Sequence, residues 1–183
     1  DDFADKIRLI RYHARDKDAW ARQQSKNRWY YDVVAQGYKY NMTDIQAVLG
    51  LCQLAKIEEQ YDRRRKVVDK YNEAFKEMPE IAIPKDIEDG KHAWHLYIIQ
   101  LNTERLNITR DEFIIAMLEK NVECGVHYIP LHFHTFYQRK YGYERGDFPN
   151  AEMAYERVVT LPLHPNLTED DADYIIETVK KVI

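Results

Sequence analysis

The sequence is poor in cysteine, and its two cysteines are not arranged as a disulfide framework or a zinc site would need. Only Cys52 and Cys124 occur among 183 residues, and no CxxC pair is present. Cys52 falls on the apolar face of a predicted helix and Cys124 follows a short strand-like run, so we expect both to be buried, reduced thiols. This cysteine usage fits a cytoplasmic protein better than a secreted one.

Long apolar runs are also missing. No stretch approaches the roughly 18 apolar residues of a membrane-spanning helix, and the first residues do not resemble a signal peptide. We therefore expect no membrane partner. Because the chain starts at Asp1 inside a helical pattern and without a methionine, we expect that Asp1 is not the natural N-terminus.

The sequence has no excess of positive charge. It contains 27 Lys and Arg residues against 31 Asp and Glu residues, a net charge of −4, so nucleic-acid binding has no electrostatic support. The basic cluster at residues 63–66 follows Glu58, Glu59 and Asp62 on the same predicted helix, which indicates a solvated, ion-paired face. With 45% hydrophobic residues, the chain has the composition of an ordinary globular protein.

What the sequence does contain is a clear succession of helix and strand signals. Apolar residues at helical spacing begin at Phe3, and a long helix is predicted from Thr43 to about Lys76. Residues 13–27, which include Trp20, are interpreted as a loop. Further strands are predicted at 29–34 and 38–40 (as a hairpin), 92–101 (covered on both faces), 122–128 and 158–161, and further helices at 109–120, 135–141, 148–157 and from 168 onward. This order predicts an α+β fold with helices packed on a small sheet.

The most informative segment is the polar, aromatic loop before the helix that begins at Thr43. Thr43 and Gln46 fit a capping box, so the side chains of Lys39, Tyr40 and Asn41 lie beside the free N–H groups of a helix N-terminus. An ammonium group and an amide suit phosphate oxygens, and a helix N-terminus favours an anion. The alternative is an ordinary solvent-exposed hairpin end.

Histidines form a second cluster of interest. His127, His132 and His134 are close in sequence, and we expect His95 across a strand pair from them. A metal site is disfavoured because no Asp, Glu or Cys lies nearby at ligand spacing. The side chains of this cluster otherwise line a cleft or form hydrogen bonds at its rim. His95 and His92 point to opposite faces of a strand, so His95 is either a pocket residue or a hydrogen-bonded core histidine.

Four segments together resemble a known family. Their order and spacing are similar to those of the DegT/DnrJ/EryC1/StrS sugar aminotransferases, which are pyridoxal-phosphate enzymes of fold type I, and the resemblance covers nearly the whole chain. The segments are Gly37–Ala47, His92–Tyr97, Gly125–His132 and Glu156–Pro165. The last of these is interpreted as architecture, a helix that turns directly into a strand. The resemblance implies residues 1–42 as the end of a large domain with an interface loop, and residues 43–183 as the C-terminal small domain.

The resemblance also implies a cofactor contact. In this family the loop crosses a homodimer interface and touches the coenzyme phosphate in the partner's active site. Many members have Asn and Arg where this chain has Lys39 and Asn41, which leaves open which of the two makes the contact. We favour Asn41, with Lys39 second, as the residues that bind pyridoxal phosphate.

For the substrate, the resemblance implies contacts to a nucleotide-linked sugar. Tyr128 and His132 border its pocket and are suited to hydrogen bonds with a sugar or pyrophosphate. His95 and Tyr40 are the further candidates. The expected reaction moves an amino group from an amino acid, expected to be glutamate, to a keto group of the sugar, for polysaccharide or glycoconjugate biosynthesis.

The catalytic lysine of this family is not recognisable in the chain. The family carries it in a motif like Ser-x-x-x-x-Lys followed by Gly-Gly, and residues 1–10 resemble the helix just after that motif. We therefore expect a C-terminal portion of the enzyme, without catalytic residues of its own and inactive alone. Two alternatives are a non-catalytic nucleotide-sugar-binding or regulatory module, and a dehydratase variant with His in place of the lysine. The exposed apolar surface expected on such a portion predicts aggregation or weak dimerisation.

Overall fold

The computed structural model describes residues 2–16, 23–24 and 26–183. The chain divides into two compact units, Asp1–Ala55 and Lys56–Ile183. The loop predicted over residues 13–27 is therefore described only in part, and Trp20 lies outside the described residues. Within the described ranges no helix is both long and apolar enough to cross a membrane.

In the first unit, the segment that follows helix α1 (Asp2–Ile10) bonds to two later pieces of chain. The Tyr40 N–H donates to the Arg11 carbonyl at 2.7 Å, and the Val34 N–H donates to the Ala14 carbonyl at 3.0 Å. The hairpin predicted between the two later pieces is therefore wrong. Each of them satisfies its backbone groups against the segment after α1 instead, a pairing that no local turn signal announces.

Gly37 allows this close approach of backbone to backbone. A Cβ atom on Gly37 would lie 2.3 Å from the Ala14 backbone nitrogen and 2.5 Å from the His13 carbonyl carbon, much closer than any real contact. A glycine is required here because two stretches of backbone meet without room for a side chain.

The long helix predicted from Thr43 is two helices, α2 (Asp44–Leu54) and α3 (Ile57–Phe75). Lys56 has φ −106° and ψ 0°, outside helical values, so the hydrogen-bond ladder stops there. The break carries neither Gly nor Pro, and nothing local in the sequence marks it. The start was predicted correctly, because Thr43 forms the complete capping box with Gln46.

Helix α2 has no buried residue, and the prediction that Cys52 is buried is wrong because the apolar side of this helix is exposed. Cys124, in the second unit, is half-buried, and burial raises the pKa of its thiol to about 12. It therefore stays a neutral thiol at physiological pH.

A three-stranded antiparallel sheet organises the second unit. Its order is β1 (Ile81–Ala82), β2 (Tyr97–Leu101) and β3 (Val158–Leu161). Tyr97 of β2 lies opposite Leu161 of β3.

The strand predicted at 92–101 begins only at Tyr97. The preceding Trp94 has φ 47°, a left-handed conformation that no strand continues. The expectation that both faces of this strand are covered is also wrong, because Gln100 is exposed. The strand predicted at 122–128 is reduced to a single bridge between Gly125 and Thr160.

Three helices supply buried side chains to the core beside the sheet: α3, α4 (Arg110–Glu119) and α7 (Glu169–Val182). Helix α5 (Thr135–Tyr141) lies before α6 (Pro149–Arg157) in the chain, and α6 contacts β2 but has no buried residue. Helix α7 packs on both α3 and α4. The largest fully buried side chains include Trp94, Tyr71, Tyr97, Phe75, Phe113 and Ile99. The α+β prediction is confirmed, as is the direct transition from α6 into β3 at Arg157.

The buried tyrosines keep their hydroxyl groups paired. The Tyr71 hydroxyl donates to the Pro162 carbonyl at 3.0 Å, and the Tyr97 hydroxyl donates to Asn72 Oδ1 at 2.8 Å. Burial raises the pKa of both phenols, so both remain hydrogen-bond donors.

The solvated, ion-paired face predicted around residues 63–66 is confirmed. Arg63 Nη2 lies 2.5 Å from Glu59 Oε1, one turn earlier, and Arg65 Nε lies 2.9 Å from Asp69 Oδ1. These side chains are largely exposed, so the pairs hold the helix surface together only weakly.

Candidate functional site

The loop before α2 presents its polar side chains to solvent. Lys39 bridges to Tyr12 in antiparallel fashion, and its Nζ lies 4.1 Å from the centre of the Tyr12 ring. The Tyr40 ring is 72% exposed and stacks on Tyr38 with centroids 5.0 Å apart and planes inclined by 2°. Asn41 follows, exposed, with no hydrogen-bond partner among the described residues.

This arrangement fits a phosphate group. Three groups that favour an anion lie within a few residues of one another. They are the Lys39 ammonium group against the Tyr12 ring, the Asn41 amide and the N-terminus of α2. The capping box already uses the Gln46 N–H, which donates to Thr43 Oγ1 at 3.4 Å, and Asp44 adds a negative charge in the first turn. The anion is therefore better held by the Asn41 and Lys39 side chains than by the helix terminus alone.

In the second unit, the segment around Tyr128 is anchored to the sheet edge. Gly125 and Thr160 exchange two backbone hydrogen bonds, of 3.0 and 2.8 Å. The His127 Nδ1 lies 2.8 Å from the Thr160 hydroxyl, and the His127 ring meets the Tyr128 ring edge-on at 4.7 Å. Tyr128 is 73% exposed, so a phenol held by its neighbour is offered at the surface.

His132 is the buried member of this region. It lies in a 3-10 turn, Leu131–Phe133. It is 4% exposed, and its Nε2 lies 2.9 Å from Glu152 Oε1. The sequence analysis missed Glu152 because it is 20 residues away, on α6, and only the three-dimensional packing brings the carboxylate to the imidazole.

The same Glu152 oxygen also accepts the Gly146 N–H at 2.7 Å. Partial desolvation raises the pKa of Glu152, but the hydrogen bonds from His132 and from the Gly146 and Phe148 backbone outweigh it, and the pKa of this carboxyl is lowered. Glu152 is therefore an ionised acceptor at neutral pH, and the imidazole donates to it through Nε2.

An aromatic groove, which the sequence did not reveal, opens beside His132. Its volume is about 630 Å³, within the range of ligand-binding pockets. Its walls are residues of the 3-10 turn, α5, α6 and the loop between these helices. The lining residues are Pro130, Leu131, His132, Tyr137, Tyr141, Tyr143, Phe148 and Ala151.

His95 does not join this group. It is exposed, in a bend before β2, and no described contact links it to Tyr128 or His132. Its neighbour His92 accepts the Trp94 N–H through Nδ1 at 3.0 Å and so has a structural role. Across residues 2–16, 23–24 and 26–183, no three His, Cys, Asp or Glu side chains gather as metal ligands would.

Comparison with known proteins identifies the family of this chain. The chain matches the model of the DegT/DnrJ/EryC1/StrS aminotransferase family over residues 1–180. The chain belongs to this family. It is 42% identical over 184 aligned positions to the spore coat polysaccharide biosynthesis protein SpsC of Bacillus subtilis, and 44% identical over 183 to MJ1066, an uncharacterized protein of Methanocaldococcus jannaschii. All of this chain is covered in both matches but only 47% of either relative, so the chain spans about half their length.

Solved structures of the family share the fold. Spr1654 of Streptococcus pneumoniae, described as a sugar aminotransferase, superposes in its PMP form with a TM-score of 0.83 at 32% identity, covering 99% of this chain and 45% of that one. Its PLP form gives 0.79 at 31% identity, with 99% and 43% covered. PseC of Helicobacter pylori, at 23% identity, gives 0.80 over 99% of this chain and 46% of that one, which supports the fold alone. The chain is thus part of a sugar aminotransferase fold.

Proposed function

We propose that the whole protein is a pyridoxal-phosphate-dependent aminotransferase that moves an amino group from an amino acid, glutamate, to a keto group of a nucleotide-linked sugar. The product serves polysaccharide or glycoconjugate biosynthesis in the cytoplasm. The observation that carries the proposal is the family match over residues 1–180. SpsC, named for polysaccharide biosynthesis, and the PMP and PLP forms of Spr1654 support the product class and the cofactor.

In this proposal, residues 1–42 belong to the end of the large domain and its interface loop, and residues 43–183 form the small domain. The lysine that binds the cofactor covalently lies outside this chain, so the chain alone is inactive. Pyridoxal phosphate, when bound, carries the amino group between donor and acceptor. The donor set of the loop fits its phosphate: Asn41 supplies an amide N–H and Lys39 a positive charge.

The substrate contacts in this proposal come mainly from the second unit. Tyr128 offers a hydroxyl group to the sugar or pyrophosphate, and its anchoring through His127 limits the entropy lost on binding. His132 offers its remaining ring nitrogen, oriented by Glu152. Tyr40, stacked on Tyr38, and the exposed His95 complete the proposed substrate-binding set.

We further propose a homodimer. Helix α2 exposes five large apolar side chains and buries none, an amount of apolar surface that a solvent-facing helix does not normally carry. They are Ile45, Val48, Leu49, Leu51 and Leu54, each at least 59% exposed.

The test uses the whole protein. Added pyridoxal phosphate is expected to give a visible absorbance band that borohydride abolishes, and glutamate with a keto-sugar nucleotide is expected to yield 2-oxoglutarate. Asn41→Ala should weaken cofactor binding by about tenfold, the cost of a hydrogen bond to a charged group. Gln36→Ala, in the same exposed loop, is the matched control. A protein that binds nucleotide sugars but gives neither band nor product would be the non-catalytic module instead.

A further inference from the structure

The wall of the aromatic groove is a continuous row of rings. Tyr137 and Tyr141 stack with centroids 6.2 Å apart and planes at 20°, Tyr141 and Tyr143 lie 5.6 Å apart, and Tyr143 meets Phe148 edge-on at 5.3 Å. The Phe148 ring then lies 4.8 Å from the His132 ring. Rings that support one another in this way lose less side-chain freedom when a ligand arrives.

The lining of the groove carries no Lys, Arg, Asp or Glu side chain. Lys140 Nζ lies 5.3 Å from the centre of the Tyr141 ring, but the lining itself offers no charged partner to a pyrophosphate or a carboxylate. A planar, uncharged ring, by contrast, gains by stacking on aromatic side chains. The lining therefore suits the ring part of a ligand better than its anionic part.

His132 is the histidine of the groove lining. It is nine-tenths buried, its Nε2–H donates to Glu152, and Glu152 also accepts the Gly146 N–H. The other ring nitrogen, Nδ1, has no hydrogen-bond partner among the described residues. A ligand in the groove thus meets a single oriented hydrogen-bonding nitrogen beside the aromatic wall.

We propose that this groove binds the base of the nucleotide-linked substrate, and that Glu152 is a positioning residue that holds His132 Nδ1 toward the edge of that base. This inference rests on the proposed function for the nature of the substrate. Base faces stack on the tyrosine wall, and an N–H at the base edge donates to His132 Nδ1. The phosphates remain outside the groove.

The experiment measures saturation transfer by NMR from the whole protein to UDP, dTDP and GDP, with inorganic pyrophosphate as a competitor that lacks a base. For at least one nucleotide, transfer is expected to be strongest at the base protons and weaker at the ribose, and pyrophosphate is not expected to displace it. If no nucleotide shows transfer to its base protons, or pyrophosphate displaces all of them, the inference is wrong.

Variants of exposed tyrosines test the aromatic wall. Tyr141→Leu should weaken binding of the nucleotide by about tenfold, the effect of losing one base–aromatic stack, and Tyr141→Phe should restore it. The matched control is Tyr174→Leu, because Tyr174 is 52% exposed and Tyr141 is 54% exposed, but Tyr174 lies on α7 away from the groove. Equal losses in both leucine variants, or no loss in either, would contradict the proposal.

Glu152→Ala tests the positioning role, because it removes the acceptor of the His132 Nε2 proton. The ¹⁵N shifts of His132 in the wild-type protein should report a proton on Nε2, and this preference should be lost in the variant together with several-fold of the nucleotide affinity. An unchanged tautomer would refute the role of Glu152. If these measurements fail in a protein that still transfers amino groups, only the base-binding inference is wrong. If the groove binds the base but the protein transfers no amino group, the proposed function is wrong and the base-binding inference stands.

Discussion

The hydrogen bonds of the capping box at the start of α4 predict how much a substitution there lowers the free energy of unfolding. Thr109 Oγ1 accepts the Glu112 N–H at 3.2 Å, and Glu112 Oε2 accepts both the Thr109 N–H, at 2.7 Å, and the Thr109 hydroxyl, at 2.9 Å. Thr109→Ala removes two of these three bonds and leaves the shortest one in place. Helix α4 is anchored by Phe113 and Met117, both fully buried, so fraying at its start is coupled to unfolding of the second unit.

We expect Thr109→Ala to lower the free energy of unfolding by about 1 kcal/mol, the usual cost of losing a threonine N-cap. Urea denaturation followed by circular dichroism at pH 7 measures it. Glu112→Gln should cost less at this pH, because glutamine also serves at this position of a capping box. An unchanged unfolding midpoint in Thr109→Ala would mean that the box contributes nothing to the fold.

The same box predicts a pH dependence. The Thr109 backbone N–H, followed by its hydroxyl, holds the pKa of Glu112 below its usual value. A carboxyl with a depressed folded-state pKa stabilises the fold above its unfolded pKa of about 4.3, and this contribution is lost as pH falls through the folded-state value. Wild type should therefore lose more stability than Glu112→Gln between about pH 5 and 3. Glu119→Gln, an exposed carboxylate at the other end of α4, is the control, and parallel curves for wild type and Glu112→Gln would refute the reasoning.

Three further predictions concern other parts of the chain. A thiol reagent should modify the exposed Cys52 quickly and the half-buried Cys124, with its raised pKa, slowly, and Cys52→Ser should remove the fast phase. Tyr71→Phe should cost about 1 kcal/mol in urea denaturation, because it leaves the half-buried Pro162 carbonyl without its donor. Leu51→Glu, on the exposed side of α2, should reduce self-association of the chain measured by light scattering.

The features that sequence reasoning predicted correctly are those determined within a few residues. The capping box predicted at Thr43 joins a side chain to a backbone group three positions away, and it forms as expected. The helices predicted from 109 and from 168 begin with the same kind of box, at Thr109 and Thr168. The β3 strand and its transition from α6 at Arg157 are also set locally, by a switch in hydrophobic periodicity and by Pro162.

The features that it missed depend on partners far along the chain. Residues 38–40 form only an isolated bridge, between Lys39 and Tyr12. Their backbone partners are near Arg11, and residue propensities do not indicate which partner a segment takes. The left-handed Trp94 shortens β2 for a reason that appears only once its ring is buried in the core. Register and pairing are tertiary properties, so local pattern predicts the type of an element better than its neighbours.

The candidate site shows the same division. Tyr128, His132, Lys39 and Asn41 were picked out because their side-chain chemistry is visible in the sequence. Glu152 was not, because it becomes a site residue only through its 2.9 Å contact with His132. The supporting residues of a site have no chemical signature of their own, and their assignment needs coordinates.

The two candidate regions also differ in how far they are prepared for a ligand. His132 is buried and bonded to a carboxylate that a backbone N–H holds in turn, so little side-chain entropy remains to be lost when a ligand binds. Asn41 is exposed, and its side chain has no partner among the described residues, so it must be ordered when it meets a phosphate, at a cost of about 0.5–1.5 kcal/mol. It follows that the groove beside His132 should bind its ligand in the 183-residue chain by itself, whereas the contribution of Asn41 to cofactor binding should appear only in the assembled protein.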